Sequence, residues 1–394
     1  MAHQTGRNIL VAYKAESSFG TLPSGTSATV FRANSGTLNL NKSPIQSGEN
    51  RRDGMMTRGR HGYREVSGGY TADLSVGTFD SLFEAVMRGT WSSVLTITQA
   101  DVTSITVAAN SITATSGSWI TLGVKVGDVV RLSDHSAAAN NNRNLRVTGV
   151  TATVLTIAET LTAASADTSF TLTRTKKLTQ GLTARSFSVE EAEQDIDETE
   201  VFTGVRFGSV RIQMTPNGMV TVTFNGAGKD MQTMDGSNAP YFVSPTTTTT
   251  LGLTAVEAVI RLGGEDLVDL TALDLTIDLK AAGINCIGSV TTPNVFTNLA
   301  EVTMNITALR EDLQQVNRFL DETPLELHIL LTEDDSEPKD FFSIFVPNFT
   351  FSTSQKSEIG QDGPRSTSLT CLVGIKEDDD AYDDTMVVFQ TSAS

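Results

Sequence analysis

Side chains able to do chemistry are sparse in this sequence. It has four histidines, His3, His61, His135 and His328, and two cysteines, Cys286 and Cys371. No histidine pairs with another histidine or a cysteine at metal-ligand spacing, so no zinc site is expected. Each cysteine sits alone in an apolar, strand-like stretch, and both are expected to be buried, inert thiols. No G-x-S-x-G nucleophile elbow occurs. Asn225-Gly-Ala-Gly-Lys-Asp230 superficially suggests a phosphate loop. It lacks the first glycine, and Asp230 stands where a magnesium-binding Ser or Thr belongs, so it is read as a turn.

Carboxylates are plentiful. Seven lie in one run, Glu190, Glu191, Glu193, Asp195, Asp197, Glu198 and Glu200, and six more lie in Glu377–Asp384. Neither run has the glycine-centred twelve-residue loop of a calcium site, and both are expected to be solvated acidic loops. A carboxylate pair for glycoside hydrolysis stays open. Two Trp and five Tyr are poor material for a sugar cleft, however. The expectation is no catalytic residue, no metal and no cofactor.

Against that acidity stands one basic interval. Asn50–Arg64 carries Arg51, Arg52, Arg58, Arg60 and Arg64, with His61, and only Asp53 in opposition. Arginine–phosphate contact is one reading. A mobile solvated loop is another, and a loop reaching an acidic patch on a second copy of the chain is a third. The guanidinium fork pairs carboxylates bidentately, so it suits such a contact. The 394 residues hold 29 basic and 46 acidic side chains, a net charge of −17. That balance favours protein contact over nucleic acid.

The elements that would position these groups are mostly strands. Ala28–Arg32, Thr37–Asn41 and Tyr70–Gly77 alternate apolar and polar residues, the period of a half-buried strand. Phe79, Leu82, Phe83, Val86 and Met87 then recur at helical spacing, with Thr78 as the expected cap and Gly89 as the stop. Residues 92–175 are Thr-, Ala-, Ser- and Val-rich, with short strands and no evident helix, and read as an inserted all-β module. Longer strands resume at Leu182–Val189, Val205–Met214 and Met219–Asn225, the last two joined by a Pro216-Asn217-Gly218 turn. A linker-like stretch follows, ending in Thr246–Thr250.

Residues 251–394 repeat the order of the first part. Val302–Thr307 is expected to run into a helix capped by Thr307, its apolar face made by Leu309, Leu313, Val316 and Leu320. The closing hairpins Val205–Asn225 and Asn348–Glu377 also correspond. An internal duplication therefore divides the chain into a discontinuous unit of 1–91 and 176–250, the insertion 92–175, and a second unit of 251–394. The fold class is mainly β: two sandwich or barrel units, each with a flanking helix, plus the small β module.

The segment Ala15-Glu-Ser-Ser-Phe-Gly-Thr-Leu-Pro resembles the N-terminal segment of major tail tube proteins of long-tailed bacteriophages. The order after it, strand, long Gly/Arg loop, strand, helix, strands and final hairpin, is similar to that family. So is Trp119–Leu132 to the small β modules carried inside such proteins. The duplication resembles the members with two tube domains per chain, from phages with non-contractile tails.

The resemblance implies a structural protein without catalysis. Tube domains would pack side by side into β-lined rings, three chains giving pseudo-sixfold symmetry, and rings would stack. The loop of 41–69, with Arg51, Arg52, Arg58, Arg60, His61 and Arg64, would reach the neighbouring ring. The acids Glu190–Glu200 would be its partners or would line the lumen. DNA would pass without specific binding, since an acidic wall repels phosphates. The implied partners are further copies, a tape-measure protein and terminator or tip proteins. The implied location is the virion tail, assembled in the host cytoplasm, and no membrane partner is expected. The inserted module would project outward and be dispensable for closing the tube. The competing reading is a surface adhesin or carbohydrate-binding β protein.

Overall fold

Alternating apolar residues give alternating burial along the long strands. In Glu198–Met214, Val210, Ile212 and Met214 are buried while Ser209, Arg211 and Gln213 turn to the opposite face. The structure, a computed structural model, describes residues 3–267, 269–333, 338–360, 363–377 and 379–393. The architecture is mainly β, with three α-helices among the described residues.

The first half builds a four-stranded array. Ser35–Ile45 pairs with Arg60–Asp73, which pairs with Thr221–Gly228, which pairs with the later part of Glu198–Met214. Behind it, the earlier part of Glu198–Met214 pairs with Phe187–Glu193 and Asp230–Asp235, and Phe187–Glu193 pairs with Ile9–Ala15. The second half builds the same order. Leu270–Asp278 pairs with Glu301–Leu309, then Ser366–Val373, then the later part of Phe341–Lys356. Its rear strands are Leu325–Thr332, Val259–Leu262 and Val388–Thr391.

The two halves match down to single irregularities. Both long strands slip register at one residue, between Phe207 and Ser209 and between Phe351 and Thr353. Both also slip where the rear strand meets them, at Phe187/Val189 and at Leu325/Leu327. Such bulges bend a strand and raise its twist.

The halves join by strand pairing. Ser209–Met214 runs antiparallel to Leu273–Asp278, so the two four-stranded arrays become one eight-stranded sheet. Val210 and Ile212 meet Ile277 and Leu275 on the buried face. On the other face Arg211 grips Asp274 in a close bidentate pair. One apolar core spans both halves, from Tyr13 to Phe389, with a ring cluster of Phe31, Tyr70, Phe79, Phe83 and Phe224 at its centre.

Residues 95–174 form a separate eight-stranded sheet around Trp119, whose indole N–H donates to the Thr153 carbonyl. The module also holds a single helical turn, Trp119–Leu122, capped by Ser118. Its core continues into the second half through Phe345 and Val388, and Val129 packs on Leu330 and Phe341.

Several local expectations differ from the structure. The first helix is Asp80–Met87, Phe79 is its cap position, and Arg88 in the left-handed region ends it. Thr78 instead bonds Ser75 and Thr248 through its hydroxyl. Thr307 starts no helix: it lies inside Glu301–Leu309, held by strands on both sides, and the helix is Gln314–Leu320. Leu309, Leu313 and Leu320 are exposed. Cys286 is exposed too, whereas Cys371 is buried and its thiol is pushed up to about 12 by burial. Strand Phe187–Glu193 begins later than expected, leaving Leu182 exposed. Asn225–Asp230 is no turn, since strand structure continues through Gly228 and resumes at Asp230. The Thr246–Thr250 stretch is tied down by hydroxyl contacts to Thr78 and Arg32.

Candidate assembly surfaces

The basic interval links two paired strands. Arg60 and His61 sit opposite Ile45 and Pro44 at the start of Arg60–Asp73, and Arg51, Arg52 and Arg58 lie on the exposed loop between. Arg51 folds back on Asp53 at 2.7 Å. Arg64 is half-buried, 3.4 Å from Asp230, and its N–H donates to the Val290 carbonyl. The interval therefore divides into a fixed base around Arg64 and an exposed tip that also presents Met55 and Met56.

The acidic run is a hairpin, not a loop. It joins Phe187–Glu193 to Glu198–Met214, with Asp197 in the left-handed region at the turn. Glu190 is buried and fully satisfied, accepting from the Tyr241 and Phe242 N–H groups at 2.5 and 2.7 Å and from Thr199 Oγ1. Glu191 accepts from Tyr70 O–H, Thr37 Oγ1 and Leu38 N–H. Asp195 accepts from Thr5 and Asn8, and those bonds hold its carboxyl below the usual range. Glu193 lies opposite Glu198 and Glu191 opposite Glu200. Burial raises Glu200, and Glu191 and Glu193 add repulsion. None of the seven belongs to the 206–214 segment of the eight-stranded sheet, and the Arg51–Arg60 tip does not meet them within the chain. Of the second acidic run, Asp378 lies outside the described residues.

Among the described residues no group of three His, Cys, Asp or Glu side chains could hold a metal ion. No helix among them is long and apolar enough to cross a membrane. An extended surface is offered instead by the outer face of the eight-stranded sheet. It carries Ser, Thr, Asn and Gln between the acids Asp73, Asp274, Asp278 and Glu301, with Arg211 and Lys280 paired to Asp274 and Glu301.

Among the described residues the sheet also has two unpaired edges that sequence reasoning missed. There Ser35–Ile45 pairs only with Arg60–Asp73, and the later part of Phe341–Lys356 only with Ser366–Val373. Exposed backbone donors and acceptors at a sheet edge are a template for another strand. A family model described as phage tail tube protein matches residues 6–372.

The chain belongs to the phage tail tube protein family. It is a structural subunit of a multi-subunit tail tube and a component of the virion tail. The mainly β architecture agrees with a tail tube protein. No curated protein matched the chain. For a tail tube protein the features that matter are edges, faces and loops rather than a catalytic pocket. The edge strands left no mark in the sequence beyond Lys42, Pro44 and Lys356, residue types that protect a free edge.

Proposed function

We propose that three copies of this chain close into a ring of pseudo-sixfold symmetry and that such rings stack into a hollow tube conducting DNA. The observation that carries this reading is the repeated four-stranded array, joined inside the chain by strand pairing and ending in two unlike free edges. A head-to-tail contact between unlike edges makes a closed ring when the rotation closes. Each half of the chain, 1–91 with 176–250 and 251–394, is one tube unit in this reading. The eight-stranded sheet then lines the lumen, where hydroxyl, amide and carboxylate groups offer phosphates no binding site.

The Arg51–Arg60 tip reaches a neighbouring ring, where its partners are carboxylates such as Glu193 and Glu198 at the exposed hairpin. A tape-measure protein fills the lumen before DNA does, terminator and tip proteins close the ends, and assembly takes place in the host cytoplasm of a non-contractile phage. Electron microscopy of purified protein or virions tests the reading: stacked rings with three chains per layer are expected, and six chains per layer refute the two-unit assignment. Replacing Arg51, Arg52, Arg58 and Arg60 by Ala is expected to shorten tubes at unchanged subunit stability. Tubes of normal length refute the stacking role.

A further inference from the structure

The seam inside the chain makes the seam between chains predictable residue by residue. Matched pairings place Phe351 where the first half has Phe207, and Thr353, Ser354, Gln355 and Lys356 where it has Ser209, Val210, Arg211 and Ile212. In the same way Leu38, Asn39, Leu40 and Asn41 stand where the second half has Leu275, Thr276, Ile277 and Asp278. Inside the chain Ile212 opposes Leu275 and Arg211 opposes Thr276.

We propose that the Phe341–Lys356 strand of one copy pairs antiparallel with the Ser35–Ile45 strand of the next, Ser354 opposite Leu40, Gln355 opposite Asn39 and Lys356 opposite Leu38, so that the Lys356 ammonium reaches the Glu191 carboxylate. This rests on the ring reading and names the partner surface within it.

Three observations support the register. Leu38 N–H is not used by the neighbouring strand but donates to Glu191 at 2.9 Å, so it points at the free edge. Glu191 thus fills, in the single chain, the acceptor place that a strand carbonyl would take. Second, Lys356 occupies the place of buried Ile212 and yet is exposed in the single chain, where a strand, Ser366–Val373, flanks it on one side and none does on the other among the described residues. Its side chain faces the same side of the sheet as Leu38 and Tyr70, where Glu191 sits. Third, Glu191 is held by uncharged donors and has Glu200 beside it, held above its usual range by burial and by Glu191 and Glu193. A cation arriving there meets an uncompensated acidic pair.

Chemistry differs between the seams where it should. The inner seam is apolar at Val210, Ile212, Leu275 and Ile277 and forms as the chain folds. The outer one substitutes Ser354 and Lys356 on one side, which keeps a free subunit soluble.

The test uses full-length chains with Cys286→Ser, assembled and viewed by electron microscopy before oxidation. Asn39→Cys with Gln355→Cys should give a covalent trimer on a non-reducing gel, because directly opposed Cβ atoms lie within about 5.5 Å. Asn41→Cys with Gln355→Cys, diagonal at roughly 7–8 Å, should give little. Tubes that form but cross-link equally in both variants, or only in the second, overturn the register and leave the ring reading standing. A wild-type chain that forms no rings overturns both. A second measurement needs no cysteine. Lys356→Met and Glu191→Gln should each raise the critical concentration for assembly about tenfold, and the double variant about tenfold rather than a hundredfold, because the two remove one pair. Unchanged subunit melting excludes misfolding, and additive effects, or none, overturn the pairing.

Discussion

Replacing Lys177 by Met should destabilise the subunit by about 3 kcal/mol. The Lys177 ammonium sits 3.0 Å from Asp128 and 2.7 Å from Asp383. Asp128 belongs to the inserted module and is buried, Lys177 follows the module's exit, and Asp383 belongs to the second half. At an effective dielectric of about 20, an ion pair at this distance gains roughly 5 kcal/mol before desolvation. Removing one partner of a buried pair costs about 3–5 kcal/mol, because the other charge stays buried and uncompensated. Arg174, 3.8 Å from Asp128, supplies part of the compensation, which puts the expected loss at the lower end.

Asp128 already sits above the usual carboxylate range because of burial, opposed by Lys177 and Arg174. Without Lys177 its pKa rises further. The deficit relative to wild type should therefore shrink as pH falls and Asp128 becomes neutral in the variant. Urea unfolding of the purified subunit from pH 5 to 8 measures both effects, and Lys177→Met with Asp128→Asn should recover most of the loss. A loss under about 1 kcal/mol, or a double variant worse than the single, would refute the view that this cluster fastens the module to the second half.

Other predictions follow from single positions. Deleting 95–174 for a short linker should uncover Phe345, Val388 and Phe341 and lower solubility and melting temperature, contrary to a freely projecting decoration; unchanged melting would reinstate that picture. Gly127→Ala should destabilise by at least about 2 kcal/mol in equilibrium unfolding, since φ is +88° and a Cβ would stand 2.2 Å from the Phe345 ring. His328 is buried beside Ser343, and burial, with Arg146 and Arg261, holds its pKa down to about 3 against an ordinary 6.5. The unfolded chain binds this proton first, so stability should fall as pH drops from about 6.5 toward 3. His328→Gln should flatten that part of the curve.

What was legible in the sequence was what local chemistry determines. The Pro216-Asn217-Gly218 turn, the burial of Leu82, Phe83, Val86 and Met87, and the short-strand rhythm of the module each depend on neighbours in the chain. Thr307 misled because strand and helix start share a residue type, and the choice was made by Ser368, 61 residues away, pairing with it. The acidic hairpin misled for a related reason. A run of carboxylates reads as solvated, yet Glu190 is buried because the Tyr241 and Phe242 N–H groups come to it from a segment that looked like a linker. The two free edges had little local signal beyond Lys42, Pro44 and Lys356, since an edge is defined by the strand that is missing.

Linking two arrays in one polypeptide also changes the kinetics of building a ring. In the proposed ring of three chains, half of the joints would form by unimolecular folding at a rate independent of protein concentration. Only the remaining three would need encounters between molecules. The Ser209–Met214 joint with Leu273–Asp278 lies within one chain and is held by a shared core, so each subunit would bring that joint with it. In the proposed ring, that joint would bear on ring size before any two monomers meet.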